Sequence, residues 1–201
     1  MHAVGKRGAT MPSPSSPVTG GQDNAIDDAV LVRAARRDPA AFAVLYRRYV
    51  TSIYRYLYSR VGNSADAEDL TAQTFVAGLE GLPGYHERGS FAAWLFTIAH
   101  NKAADHHRQR HPHLPLDEAL DSPGHGEDPM TTMMRKETLQ RLSALVAGLE
   151  EDKQELLRLR FAGSLTYAQM AQVVGSSEGA VKMAVHRLLN RLEAGWEESD
   201  E

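Results

Sequence analysis

The side chains best placed to do chemistry in this chain are basic and gather near its C-terminal end. Between Gly179 and Leu192 stand three cations, Lys182, Arg187 and Arg191, and no acid. At helical spacing Gly179, Lys182, Met183, His186 and Asn190 share an outward side, with Arg187 beside them. Such a face suits phosphate oxygens and the acceptor edge of guanine, with His186 the weaker donor. A second polar set, Asp66, Asp69, Gln73 and Glu80, recurs at steps of 3, 4 and 7 and forms an acidic, polar helix face. A third set is histidine-rich: His100, His106, His107, His111 and His113. His107 and His111 have i,i+4 spacing, yet a zinc centre wants a third ligand and commonly a glutamate base, as in H-E-x-x-H. Neither is so placed and Pro112 stops the helix, so these histidines read as a polar helix end running into a linker. The absence of cysteine removes disulfides and thiolate metal sites.

Local helix geometry must position the basic face. Thr166-Tyr167-Ala168-Gln169 has the form of a capping box, in which hydroxyl and amide satisfy each other's free N–H groups. A short helix with Met170 and Ala171 follows, and Val173-Val174-Gly175-Ser176 breaks it. Ser177 is placed to cap a second helix whose Val181, Val185 and Leu188 point inward. Ala171 is small where two helices cross, Gly175 supplies the turn, and Val181 fills the angle between them. This is the layout of a helix-turn-helix, whose second helix presents its N-terminal half to the major groove.

Upstream, the pattern is helical from Asp27 to Arg110. Phe42, Leu45, Tyr49, Ile53 and Leu57, at steps of 3, 4, 4 and 4, predict one apolar stripe on a long helix that opens after Pro39 and ends at Gly62. Ser64 is the expected N-cap of the next helix, with Asp66, Glu68 and Asp69 in its first turns, where the dipole favours anions. Its apolar face is expected at Ala72, Phe75, Leu79 and Leu82, opposite the acidic one. Leu82 to Gly89 reads as a loop by its Pro and Gly content. Ser90 can cap a further helix with one stripe at Phe91, Trp94, Leu95, Ile98 and Ala99, whose other side carries Thr97, His100, Asn101, Ala104 and Arg108. Tyr46, Tyr49, Tyr54, Tyr56 and Tyr58 on the long helix could suggest stacking with nucleic acid, but most of them read as ordinary core or boundary residues.

His111 to Pro129 holds four prolines and no apolar period. Beyond it Leu139, Leu142, Leu145, Val146 and Leu149 mark one helix, and Leu156, Leu159 and Phe161 another that stops at Gly163. With no convincing strand and no repeat, the chain reads as all-α, two small helical domains on a flexible linker. The expected divisions are a disordered leader 1–24, a first domain 25–110, an acidic Pro-containing linker 111–137, a second domain 138–195 and an acidic tail 196–201. Net charge is −4, but unevenly spread: 25–110 carries 11 basic against 9 acidic groups and 138–195 carries 7 against 6, while 111–137 has 2 against 6. The folded parts are thus mildly basic, short of the excess with which a protein holds DNA alone by counterion release. A DNA reader whose affinity comes mostly from a larger assembly fits better than a stand-alone repressor, which would also leave the acidic helix unexplained. No apolar run approaches the roughly 18 residues that cross a bilayer and the leader lacks a signal-peptide stretch, so membrane insertion is not expected and the simplest placement is the cytoplasm.

Two long motifs carry a family resemblance. Asp66-Ala-Glu-Asp-Leu-Thr-Ala-Gln-Thr-Phe75, followed by Phe91-Ala-Ala-Trp-Leu-Phe-Thr-Ile-Ala-His-Asn-Lys-Ala-Ala-Asp-His-His-Arg108, closely resembles domain two of the extracytoplasmic-function (ECF) sigma factors of the sigma-70 family. The helix-turn-helix, with Leu156 to Phe161 before it, resembles their domain four, in the family's order. The resemblance implies an initiation subunit with no catalytic site or cofactor of its own, which binds core RNA polymerase through its β′ and β subunits and directs it to promoter DNA. Asp66, Asp69 and Gln73 would dock on the β′ coiled coil. The loop from Leu82 to Ser90 would open the −10 element and hold a flipped base, with His100, Asn101, Ala104 and Arg108 on the −10 side and Trp94 packing. Ser177, Lys182, Met183, His186 and Arg187 would meet the −35 element. The linker would run through the RNA exit path, and an anti-sigma factor is a further candidate partner. Gln169 stands where the family often has Glu, which should preserve the cap, and His100 where a stronger base is common. The leader exceeds a minimal member's, with Met11 an alternative start.

Overall fold

The computed structural model of the protein describes residues 23–86, 89–109 and 129–198, so the expectations for the leader, most of the linker, His111 and His113 lie outside the described residues. Every regular element among them is helical. Asp23–Ala35 (α1) leads into Pro39–Val61 (α2), which Asp38 caps through Ala40 N–H and which proline opens at its first position. Gly62 ends α2 at φ 74°, a left-handed conformation that glycine adopts without a Cβ penalty. Ser64–Gly81 (α3), a 3₁₀ turn at Leu82–Gly84 and Phe91–Gln109 (α4) complete the first domain. The second comprises Pro129–Ala147 (α5), Glu151–Leu157 (α6), a π-helical turn Arg158–Ala162, Tyr167–Val174 (α7) and Glu178–Glu198 (α8).

The α2 stripe is buried as its spacing predicts: Phe42, Leu45, Tyr49, Ile53 and Leu57 all face the core. Tyr56 joins it, while Tyr46 stays exposed. Asp28 of α1 is buried too, paired with Arg48 at 2.6 Å and accepting from the Tyr49 hydroxyl, which locks α1 on α2. The burial of Tyr49 and the adjacent Asp28 carboxylate push that phenol's pKa far up.

Several sequence expectations need correction. The N-cap of α3 is Asn63, not Ser64: its side chain accepts from Asp66 N–H at 2.9 Å and its amide returns to the Asp66 carboxylate at 2.8 Å. The buried face of α3 is turned from the expected one, with Ala67, Leu70, Thr71, Thr74, Phe75 and Gly78 inside and Ala72 and Leu79 outside. Thr71 and Thr74 tolerate burial because each hydroxyl donates to the carbonyl four residues back, at 2.6 and 2.7 Å. Residues 129–137, expected in the linker, belong to α5, and 196–198, expected in the tail, belong to α8. Trp196 there stacks against Arg141 of α5, whose guanidinium carbon lies 4.3 Å from the ring centroid. Phe161 is 55 % exposed, because the π turn rotates it off the apolar side of α6.

The two domains do not stand apart. Leu159, Leu165, Met170, Ala171, Val181 and Val185 of the second share one continuous core with α2 and α4 of the first. Helix α4 is therefore buried on two sides rather than along one stripe: Phe96, outside the expected stripe, is fully buried. Gly163 makes the approach possible, since a Cβ there would sit 2.7 Å from the Phe96 ring and 2.9 Å from the Leu159 carbonyl. Substituting Leu45→Ala, deep in the first domain, should cost about 2–5 kcal/mol, read as a lowered urea midpoint with helical content retained.

Candidate nucleic-acid interface

The helix-turn-helix forms as its residues require. Thr166 N–H donates to Gln169 Oε1 at 2.9 Å and Gln169 N–H to the Thr166 hydroxyl at 3.3 Å, closing the capping box. Gly175 turns the chain at φ 65°, and the Ser177 hydroxyl accepts from Ala180 N–H at 3.2 Å. Val181, Val185 and Leu188 are buried beneath α8. Lys182, Met183, His186, Arg187 and Asn190 are exposed, which leaves one basic face at the start of α8. Arg160 and Tyr167 support it from behind: the guanidinium lies 4.8 Å from the Tyr167 ring centroid, and that ring is 6.4 Å from His186.

The acidic set on α3 divides. Asp69 and Gln73 are exposed and joined, Gln73 Nε2 donating to Asp69 at 2.7 Å. Asp66 is half-buried instead, held by Asn63 and lying 3.4 Å from His106 Nε2 of α4. Beside Asp69, Gln73 and Glu80 the same helix exposes Ala72, Val76 and Leu79, so the outer face is apolar and acidic together. Sequence reasoning missed Val76; the available signal was that apolar residues fall all round this helix, more than one buried side can take.

On α4 the expected −10 residues also part company. Asn101 and Arg108 are exposed, with Arg108 paired to Asp105 on the same helix, and Ala104 is half-buried. His100 faces the second domain. Its Nδ1 lies 2.8 Å from Oε1 of Glu155 in α6, which also accepts from the Tyr56 hydroxyl at 2.5 Å, while Oε2 accepts from Arg60 Nη1 at 2.9 Å. Arg158 approaches the same carboxylate at 3.8 Å. Burial pushes the Glu155 carboxyl pKa upward, but the hydrogen bond from His100, the charge of Arg60 and the Tyr56 hydroxyl outweigh it and hold it below the ordinary carboxylate value. Burial first, then Glu155, pushes the Tyr56 phenol far up. Sequence reasoning named Tyr56 only among the tyrosines of α2 and did not single out Arg60 or Glu155, because Glu155 meets Tyr56 across 99 positions and Arg60 across 95.

Residues 84–86 and 89–90, with α4, frame a small open pocket of about 260 Å³, lined by Tyr85, Ser90, Ala93, Trp94 and Thr97 and closed on one side by Gln172 of α7. Trp94 packs between Tyr85 and Phe91, at centroid distances of 4.9 and 5.5 Å, so it forms the pocket wall as expected of a packing residue. Ser90 does not act as a free cap: its hydroxyl accepts from Gln169 Nε2 at 3.0 Å, and its N–H donates to Gln172 Oε1 at 3.1 Å. Gln169 thus closes the capping box with its oxygen and reaches the first domain with its nitrogen, a donor that glutamate lacks.

Comparison with known proteins follows the same two-part division. Residues 45–112 match Sigma-70 region 2 and residues 139–192 match Sigma-70, region 4. The chain is 36 % identical over 163 residues to the ECF RNA polymerase sigma factor BldN of Streptomyces coelicolor, an alignment covering 80 % of this chain and 62 % of that protein's length. It is also 36 % identical over 177 residues to the ECF RNA polymerase sigma factor ShbA of Streptomyces griseus, covering 83 % of this chain and 93 % of that one. Among solved structures it is similar in fold to CnrH in complex with the cytosolic domain of CnrY, with a TM-score of 0.61, 24 % identity, and coverage of 86 % of this chain and 97 % of CnrH.

The depressed Glu155 carboxyl makes the domain contact pH-dependent. Its contribution is fully present at neutral pH and is lost as pH falls through the folded-state value, below the ordinary carboxylate range. Urea unfolding across the acid limb should show this loss, and Glu155→Gln should flatten that part of the profile.

Proposed function

The chain belongs to the sigma-70 family of RNA polymerase sigma factors, in its extracytoplasmic-function group, and from that premise we propose how its surfaces divide the work. It binds core RNA polymerase and directs promoter-specific initiation. The outer face of α3, with Asp69 and Gln73 beside Ala72, Val76 and Leu79, is the proposed dock for a basic and partly apolar surface of the β′ subunit. Asp66 contributes by shaping the start of that helix through Asn63. Lys182 and Arg187 are the proposed −35 readers, with Met183 and His186 packing against base edges and Ser177 at the start of the helix. Asn101, Ala104 and Arg108, with His100, form the proposed −10 side.

The exposed basic face at the start of α8, on a complete helix-turn-helix, carries this reading. Each good bidentate contact to a base supplies about 1–3 kcal/mol of discrimination, enough to select a site but not to hold DNA without a larger partner. The protein performs no bond chemistry under this reading. It positions polymerase and traps bases as the duplex opens, offsetting an unstacking cost of about a few kcal/mol. An anti-sigma factor that keeps the chain from polymerase belongs to the same proposal.

In vitro transcription with core polymerase on a genomic library, with start sites mapped, tests the whole; failure to direct any start site would refute it. Lys182→Ala or Arg187→Ala should each lower −35-dependent transcription by roughly tenfold, the equivalent of about 1.4 kcal/mol, with unchanged affinity for core enzyme. Asp69→Lys should do the reverse, weakening holoenzyme assembly first, as measured by fluorescence anisotropy against core.

A further inference from the structure

The carboxylate of Glu155 is the second domain's, but the groups converging on it are mainly the first domain's: Arg60 from the end of α2, Tyr56 one turn earlier, and His100 from α4. A guanidinium, a phenol and an imidazole aimed at one point form an anion site, and their geometry suits a phosphodiester oxygen as well as a carboxylate. We propose that Arg60, Tyr56 and His100 are a phosphate subsite for the opened promoter strand, and that Glu155 occupies it while the two domains are closed on each other. The inference rests on the reading of the first domain as the −10 module.

Position along α4 supports a strand as the ligand. The pocket residues Ala93, Trp94 and Thr97 and the subsite residue His100 lie on successive turns. At 1.5 Å per residue, Ala93 and His100 are about 10 Å apart along the helix axis. A strand following α4 would meet a base-sized pocket and then the anion site. The second domain covers both in the same closed arrangement: Gln172 Oε1 accepts from Ser90 N–H beside the pocket, as Glu155 accepts at the subsite. At about 260 Å³ the pocket lies below the ~300–1,000 Å³ of ordinary small-molecule sites. The amide of Gln172 and the carboxylate of Glu155 thus stand where a base edge and a phosphate would.

The energetics allow exchange. Arg60 and Glu155 have side chains only 13 % and 7 % exposed, so much of their attraction is offset by the cost of removing both from water. A nucleic-acid strand returns a negative charge to Arg60, while separation returns Glu155 to water. Closure therefore lowers strand affinity by the fraction of molecules that are open, without blocking it outright.

The test uses the full chain without polymerase, binding a short fluorescein-labelled single-stranded deoxyoligonucleotide of mixed sequence across a salt series. Glu155→Gln is expected to tighten binding at least about fivefold through the larger open fraction, and Gln172→Ala, on the exposed side of α7, to tighten it to a smaller degree. Adding Arg60→Ala to Glu155→Gln removes both charges of the pair together; it should abolish the gain and lower the salt slope by about 0.7, the value of one phosphate contact on a single strand. Arg60→Lys in the same background should retain most of the gain. No tightening in Glu155→Gln and Gln172→Ala, with circular dichroism unchanged, overturns the proposal. So does a gain and salt slope that survive Arg60→Ala, which would make the Glu155 contact a purely structural latch. Core-polymerase affinity measured on the same variants separates the two readings. Intact core binding without the oligonucleotide effect sinks only this inference, whereas absent core binding in the unaltered chain sinks the assignment of function.

Discussion

The meeting of Glu155 with Arg60, His100 and Tyr56 governs how this molecule is put together. Around it lies a shared apolar core, in which Leu159 and Met170 of the second domain are as fully buried as Leu45 and Ile53 of the first. Apolar contact brings the domains together without direction, and the polar cluster fixes their register. A buried pair of this kind adds little net stability, because desolvation consumes most of the attraction, yet breaking it by removing one partner costs about 3–5 kcal/mol where the other stays buried. It therefore specifies one closed arrangement more than it strengthens it.

That arrangement divides the proposed functional surfaces into two groups. The α8 face with Lys182 and Arg187, and the α3 face with Asp69 and Gln73, are exposed in the closed state. The α4 side is covered only in part: His100 is engaged and the pocket beside Trp94 is bordered by Gln172, while Asn101 and Arg108 stay exposed. On the proposed roles, the polymerase and −35 surfaces are open in this arrangement, whereas on the −10 side His100 is held by Glu155 of the second domain. Gln169 shows how economically the closure is built, one amide completing a helix cap within its own domain and reaching Ser90 in the other.

Much of the fold was legible because helices advertise themselves locally. The α2 stripe, the capping box at Thr166, the turn at Gly175 and the inward Val181 and Val185 all depend on residues within one or two turns of each other. The errors arose where that locality fails. Asn63 displaced Ser64 as a cap because its amide could also return to Asp66, a choice between neighbouring candidates that spacing does not resolve. The buried face of α3 was misjudged because Thr71 and Thr74 satisfy their hydroxyls within the helix and enter the core, while Ala72 and Leu79 are left outside. Phe161 left the core because a π turn changed the phase of its helix.

By itself the sequence determined the all-helical character, the two modules, the helix-turn-helix with its basic outward face and the acidic outward residues of α3, since each follows from side-chain type at helical spacing. Only the tertiary structure decided which side of α4 faces solvent, that Asp66 turns toward His106 while Asp69 does not, and that Glu155 is an anion seated among the first domain's donors. Those outcomes depend on groups that meet across dozens of positions, and a pattern read along the chain carries no information on which distant surface will cover a given face.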